Sequence, residues 1–537
     1  MEILSKLKFN ILFALAATLI LVVVNGIFTE FSVLNSLQSE DFWVVLTLLF
    51  IGTLIIKRSA QFIYFGFLLF IILIELLHWS YYKNPILPAE LYKFFTEYSE
   101  ISQAMGTNVL GLFIVPLIIV VIVIGLFYVL ITYASNKSLK VPFVWMIPFV
   151  AIGVLTYNAS LERSVNRSQN LNQNLLRSGL ECIGSFFGKY LPTKLSDKNY
   201  GGADKPMPKR IPQSNADIII IIGESLSYQR MSLFGYSKKT TPKLDSLYKA
   251  NQIFKKKCIP GATCTEVSVL SFFNQLDSVG QYNQVLQGNH FLFKLAKQNN
   301  YNTAFITSQS LSATSSFMGQ MDKNYIDYFS AASVYNSQLS GTDFSLDTIL
   351  LPQLKKVLAP TKNNFIVLQM YGSHEQYQQR YPAKYNKFNE KDYKFPQSAH
   401  YDNSVLYTDN NLYEMINYLR TNTTKPTYVF FISDHGECAG EEDVFGHNMF
   451  RNQVLSVPFI YQSFNNVSDT MCNYINKSPG MFTHHKLSLL IGRLLGYDYQ
   501  VPKNPITFVN GMDIDGLDGF NYYQYNDSLI SEVKINK

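Results

Sequence analysis

Three long runs almost empty of charge decide what the first third of this chain can become. Phe9 to Thr29 carries no charged residue, Ser59 to Trp79 carries only Glu75, and Gly106 to Ser135 carries none. A helix of about 20 apolar residues crosses a hydrocarbon core of roughly 30 Å, so each run is long enough to span a membrane. Two shorter runs lie between and after them, Phe42 to Ile56 and Val141 to Tyr157. Their place in the series favours spans over buried core helices, and the chain is expected to cross five times. The first run is too long for the apolar region of a cleaved signal peptide, and no small-residue cleavage site follows it before the next span.

The flanking charges orient these spans. Lys6, Lys8, Lys57, Arg58, Lys137 and Lys140 fall on one side; Glu30, Glu40, Asp41, Glu90, Glu97 and Glu100 fall on the other. Basic residues stay inside, which puts the N-terminus in the cytoplasm and everything after Tyr157 outside. Residues 1–158 are therefore read as a transmembrane domain. Its longest outer loop is 80–107, where Leu91 to Ile101 is expected to lie as a helix at the membrane surface. Residues 159–214 are read as a bridging helix, Leu171 to Phe187, and a linker punctuated by Pro192, Pro206, Pro208 and Pro212. Residues 215–537 form the soluble domain. A net charge of +6 over 537 residues is dilute, and no basic strip interleaved with aromatics accompanies it, so a nucleic-acid partner is excluded.

The soluble half is expected to be α/β. Ala216 to Ile222 is an unbroken apolar run apart from Asp217 and reads as a buried parallel strand. It ends at Gly223-Glu224-Ser225. Thr427 to Ile432 reads the same way and ends at Ser433-Asp434-His435-Gly436. Further strands are expected at Thr303 to Thr307, Phe365 to Met370 and Pro458 to Gln462. In open parallel sheets, ligands bind beyond the carboxyl ends of the strands. Glu224, Asp434 and His435 stand there, with His374 after another strand and His447 on a returning loop. Carboxylate and imidazole are ligand types that Zn²⁺ accepts. Cys258 to Leu270 reads as a turn opening a helix, and a threonine at that start is either a cap or a nucleophile favoured by the helix dipole. His484 and His485 precede an amphipathic helix, Lys486 to Leu495, and are expected at its surface.

Taken in order, these motifs resemble the membrane-bound phosphoethanolamine transferases of the alkaline phosphatase and sulfatase superfamily. The matching residues are Ile222-Gly-Glu-Ser225, Met231-Ser-Leu-Phe-Gly-Tyr236 with Thr241-Pro242, Thr265 with Ser268-Val269, Gly372-Ser-His374 with Arg380-Tyr381-Pro382, Tyr401-Asp-Asn403 with Leu406 to Asp409, Ser433-Asp-His-Gly-Glu437 and Gly446-His447. The resemblance implies a five-helix transmembrane domain followed by an α/β domain with a mostly parallel central sheet. It implies one Zn²⁺ on Glu224, Asp434, His435 and the hydroxyl of Thr265, with Thr265 preferred to Thr263 as nucleophile. It implies that His374 and His447 bind phosphate or a second zinc. The donor would be phosphatidylethanolamine, the acceptor a lipid A phosphate or core sugar of lipopolysaccharide, and the setting a monomer in the bacterial inner membrane with its catalytic domain in the periplasm. Glu90, in Pro88-Ala89-Glu90, is carried over as a lipid contact, although the Asn and Thr that several members place before it are not at the expected offsets. The pairing of Cys182, Cys258, Cys264, Cys438 and Cys472 stays open. Two rivals remain: a phosphoglycerol transferase of the same superfamily, and a non-catalytic membrane-anchored binding protein. A sulfatase fits less well, since no Cys-x-Pro-x-Arg or Ser-x-Pro-x-Arg surrounds residue 265.

Overall fold

The computed structural model describes residues 2–28, 40–82, 86–88, 90–92, parts of 114–132, 139–161, 174–195, 205–309, 317, 321–332, 346–465, 470–477, 481–500, 507–512, 523–526 and 529–532. The chain divides into two compact units, Met1–Lys198 and Asn199–Gly516.

The first unit is helical: α1 (Glu2–Phe28), α2 (Glu40–Leu54), α3 (Arg58–Tyr82), α4 (Ile147–Leu161) and α5 (Leu175–Ser185). Two stretches, Glu2–Ile27 and Arg58–Ser80, are long and apolar enough to cross a membrane; the apolar helices Asp41–Leu54 and Phe149–Ser160 are shorter. The span expected at 106–135 lies largely outside the described residues, as does most of the surface helix expected at 91–101. Phe13, Leu21, Phe65, Leu68, Ile72 and Trp79 sit in the shared core. The expected bridging helix is α5, and it packs within this unit. At Gly179 an added Cβ would stand 2.3 Å from Ile71 Cγ2, so only glycine admits this approach to α3. The first amides of α5 have no partners within their own helix. Asp41 Oδ2 accepts from Asn174 N at 2.8 Å, and Asn25 Oδ1 accepts from Leu175 N at 3.0 Å. Arg177 in turn pairs with Asp41 and, at 3.0 Å, with Glu181.

The second unit is built on β1 (Asp217–Gly223), β2 (Phe254–Ile259), β3 (Asn302–Thr307), β4 (Tyr328–Ser330), β5 (Asn364–Gln369), β6 (Thr427–Ser433), β7 (Cys438–Ala439), β8 (Phe445–Gly446), β9 (Val457–Phe464) and β10 (Phe482–Thr483). One sheet runs β10-β2-β9-β6-β1-β5-β3-β4, with β7 and β8 paired apart from it. β1 is parallel to β5 and β6, β3 to β4 and β5, and β10 to β2; β9 alone runs against its neighbours β2 and β6. The sheet is therefore mostly parallel, as expected. Ile218 to Ile222 are buried on both faces, which is why β1 is a continuous β-branched run without alternation. Each such side chain contributes roughly 1.5–3 kcal/mol on burial. The register then does the positioning: Gly223 stands opposite Ser433, so Glu224 and Asp434 leave adjacent strands at the same level. The helices of this unit include α6 (Thr265–Phe273), α7 (Pro396–Asn422) and α8 (His484–Leu494).

Candidate metal and nucleophile site

At the carboxyl ends of β1 and β6 four predicted residues converge on one oxygen. Thr265 Oγ1 lies 3.1 and 3.2 Å from the two carboxylate oxygens of Glu224, 2.8 Å from Asp434 Oδ2 and 3.1 Å from His435 Nε2. Thr265 is the first residue of α6. The capping position belongs to Cys264, and no side chain caps this helix, so the Thr265 hydroxyl is turned to the carboxylates and not to its own helix. Thr263, two residues earlier, turns elsewhere: its carbonyl accepts from Asn448 N at 3.0 Å, and its buried hydroxyl has no hydrogen-bond partner among the described residues.

Each ligand candidate is held from behind. Gln309 Nε2 donates to Glu224 Oε2 at 2.8 Å and Ser225 Oγ to Oε1 at 3.0 Å. Asp434 Oδ1 accepts from Ser225 N at 3.1 Å and His435 N at 2.7 Å, which leaves Oδ2 for Thr265. His435 Nδ1 lies 2.9 Å from the Gly436 carbonyl, a contact that puts a proton on Nδ1 and turns Nε2 towards the site.

The electrostatics favour a cation. Glu224, Asp434 and His435 are 0–1% exposed. Burial, then the neighbouring Glu224 carboxylate, raise the Asp434 pKa. Burial works against protonating His435, but Asp434 and Glu224 outweigh it and hold the proton on. His435 thus retains a proton that a divalent ion would displace. One ligand atom each from Glu224, Asp434 and His435 lies within 4.8 Å of the others, and this two-oxygen, one-nitrogen set with a hydroxyl suits Zn²⁺.

His374 and His447 stand beside this set. The rings of His435 and His447 are 4.2 Å apart and those of His374 and His447 5.7 Å apart. His447 Nδ1 meets Glu437 Oε2 at 2.8 Å, and Tyr377 donates to Glu437 Oε1 at 2.7 Å. Burial, then Arg380, lower the His374 pKa to about 3, so its ring is neutral. Gly372 carries this loop past Glu224: its φ is +51°, and an added Cβ would meet the Glu224 carbonyl at 2.7 Å. Asp347 fixes the turn, accepting from Tyr371 N at 2.7 Å and Gly372 N at 3.1 Å. Glu90 belongs to the first unit, where its Oε2 accepts from Leu87 N at 2.6 Å and lies 3.1 Å from His78 Nε2.

One expectation fails. His484 is not a surface residue; it is 3% exposed, with Nε2 2.9 Å from the Ser433 carbonyl. An amphipathic pattern shows which face of a helix is buried but not what its first residue meets. Gln309 joins the site without having been expected there. It stands two residues past the end of β3, where the strand-end rule that found Glu224 points as well. Cys182, Cys258 and Cys438 carry free, buried thiols.

Comparison with known proteins bears on this geometry. Phosphoethanolamine transferase EptC of Escherichia coli K12 is 29% identical over 240 residues, 41% of this chain and 39% of that protein. The chain's match thus spans about two-fifths of that relative's length. Phosphoethanolamine transferase EptA of Helicobacter pylori is 24% identical over 476 residues, 83% of this chain and 87% of that protein. In three dimensions the chain resembles the integral membrane lipooligosaccharide phosphoethanolamine transferase A of Neisseria meningitidis, with a TM-score of 0.56 at 16% identity over 84% of this chain and 88% of that one. That likeness is one of fold. Residues 216–471, which hold Glu224, Thr265, His374, Asp434, His435 and His447, match the sulfatase family model, and the chain carries a sulfatase-family domain.

Proposed function

We propose that the chain is a membrane-bound phosphoethanolamine transferase. It takes phosphoethanolamine from phosphatidylethanolamine and passes it to a lipopolysaccharide acceptor, a lipid A phosphate or a core sugar. The observation that carries this reading is the Thr265 hydroxyl standing at the first turn of a helix between two buried carboxylates and an imidazole. A phosphoryl-transfer nucleophile needs that setting. The names of the two relatives supply the transferred group.

In the first half-reaction Thr265 Oγ1 attacks the phosphorus of the lipid diester. An oxygen–phosphorus bond forms to Thr265, the bond to the diacylglycerol oxygen breaks, and diacylglycerol leaves with a proton. Asp434 Oδ2, at 2.8 Å, is placed to take the threonine proton. In the second, an acceptor oxygen attacks the same phosphorus and Thr265 is released. His374 and His447 line the phosphate oxygens, or hold a second metal ion. Zn²⁺ on Glu224, Asp434, His435 and Thr265 Oγ1 would supply Lewis acidity, lowering the hydroxyl pKa and polarising the phosphoryl group. The remaining contribution is positional, since fixing both reactants lowers the barrier on its own.

The membrane reading completes this. Five spans, the cytoplasmic N-terminus and a periplasmic catalytic domain put donor and acceptor lipids on the enzyme's side of the inner membrane. A C-terminal alkaline phosphatase fusion is expected to be active and a C-terminal green fluorescent protein fusion dark; the reverse pattern refutes the orientation. Mass spectrometry of membrane lipids with and without the protein tests the function. Lipopolysaccharide should gain phosphoethanolamine as diacylglycerol accumulates. A gain of phosphoglycerol would establish the rival transferase, and an unchanged lipid profile from zinc-loaded protein would leave the binding-protein reading.

A further inference from the structure

His484 takes no part in the proposed reaction, yet it is buried at the junction of three elements. Its Nε2, 2.9 Å from the Ser433 carbonyl, must carry the proton to bond there. Its Nδ1, without a proton, faces Ser268 Oγ at 3.3 Å but makes no hydrogen bond there, because that hydroxyl's one proton goes to the Asp434 carbonyl at 2.6 Å. The ring packs edge-on against Phe272 at 5.6 Å. His484 opens α8, Ser268 lies one turn into α6, and Ser433 and Asp434 end β6.

Ser268 follows Thr265 by three residues, which places both on one face of α6. That face meets Asp434 twice: Ser268 at its backbone carbonyl, Thr265 at its side chain. We propose that Ser268 and His484 are positioning residues. Ser268, bonded to the Asp434 carbonyl, and His484, bonded to the Ser433 carbonyl with its ring against Phe272, each tie α6 to the end of β6, and so fix the Thr265 hydroxyl against Asp434. The inference rests on Thr265 being the nucleophile of the proposed transfer.

The test uses the full chain with phosphatidylethanolamine vesicles and four variants: Ser268→Ala, His484→Phe, the double substitution of these two, and His484→Gln. Phenylalanine keeps the ring's volume and its edge contact and removes both polar atoms. Each single variant should slow covalent labelling of Thr265 about tenfold or more, with KM for the donor lipid unchanged. The double variant should be slower than the slower single variant by no more than about twofold, because residues acting as one unit are not additive. His484→Gln, whose amide can still donate to the Ser433 carbonyl, should recover part of the loss. A normal labelling rate in Ser268→Ala, or losses that multiply in the double variant, overturns the proposal. The Ser268→Ala result decides even where His484→Phe does not fold. Wild-type protein that never labels would count against the transfer reading. In that event zinc affinity, measured by competition with a chelator, decides the positioning claim. A tenfold weakening in Ser268→Ala is expected from disturbed support of a ligand, and unchanged affinity overturns it.

Discussion

Thr265→Ala is expected to insert, fold, retain much of its zinc and transfer no phosphoethanolamine, a loss of at least about a thousandfold. The competing account, in which Thr265 only caps its helix, predicts a stability loss of about 1 kcal/mol with chemistry largely intact. The geometry argues against capping, because Cys264 holds that position and Thr265 Oγ1 faces Glu224, Asp434 and His435. Thr263→Ala is expected to keep substantial activity, since its side chain has no partner at the site. Intact-mass analysis of wild-type protein supplied with phosphatidylethanolamine should show a phosphoethanolamine adduct on the peptide containing Thr265. An active Thr265→Ala enzyme, or an adduct mapped to Thr263, would place the nucleophile two residues away.

Asp434→Ala should lose most bound zinc while remaining folded. The sign of its effect on stability is the sharper measurement. In metal-free protein Asp434 helps hold the buried, protonated His435 and accepts from Ser225 N, His435 N and Thr265, so removing it leaves buried polar groups without a partner. Metal-free Asp434→Ala should therefore melt lower than metal-free wild type. Zinc stabilises whatever binds it in the folded state alone, by about 2.7 kcal/mol at a free concentration of 100 Kd. Wild type should gain that increment on titration and the variant should gain little. Full zinc content in purified Asp434→Ala would put the metal elsewhere.

The parts of this domain that could be read from residues alone are those where one physical rule acts without competition. Five isoleucines in succession have no other use than a strand covered on both faces, and β1 follows them to within a residue. Strand ends gather ligands in parallel sheets, so Glu224, Asp434 and His435 could be named before their distances were known. Thr265 was harder. Spacing alone left Thr263 open, and it was the start of α6 at residue 265 that turned one hydroxyl inward. His484 escaped because burial at a helix's first residue depends on what lies across from it, here the Ser433 carbonyl, 51 residues distant in the chain. The helical unit shows the opposite limit. Charge-free runs announce helices, but apolarity on every face gives no sign of which sides meet.

The docking of α5 has a consequence for how the first unit is made. Its leading amides are satisfied by Asn25 and Asp41, residues synthesised some 150 and 133 positions earlier. Until residue 175 has left the ribosome, those two polar side chains lack the α5 amides they meet in the finished protein. The packing of the earlier helices is thus provisional, completed by a segment that is made after them. A chain stopped after Leu161 holds its hydrophobic helices and lacks their keystone. It would present quality-control proteases with an unfinished bundle, whereas one stopped after Leu195 would not.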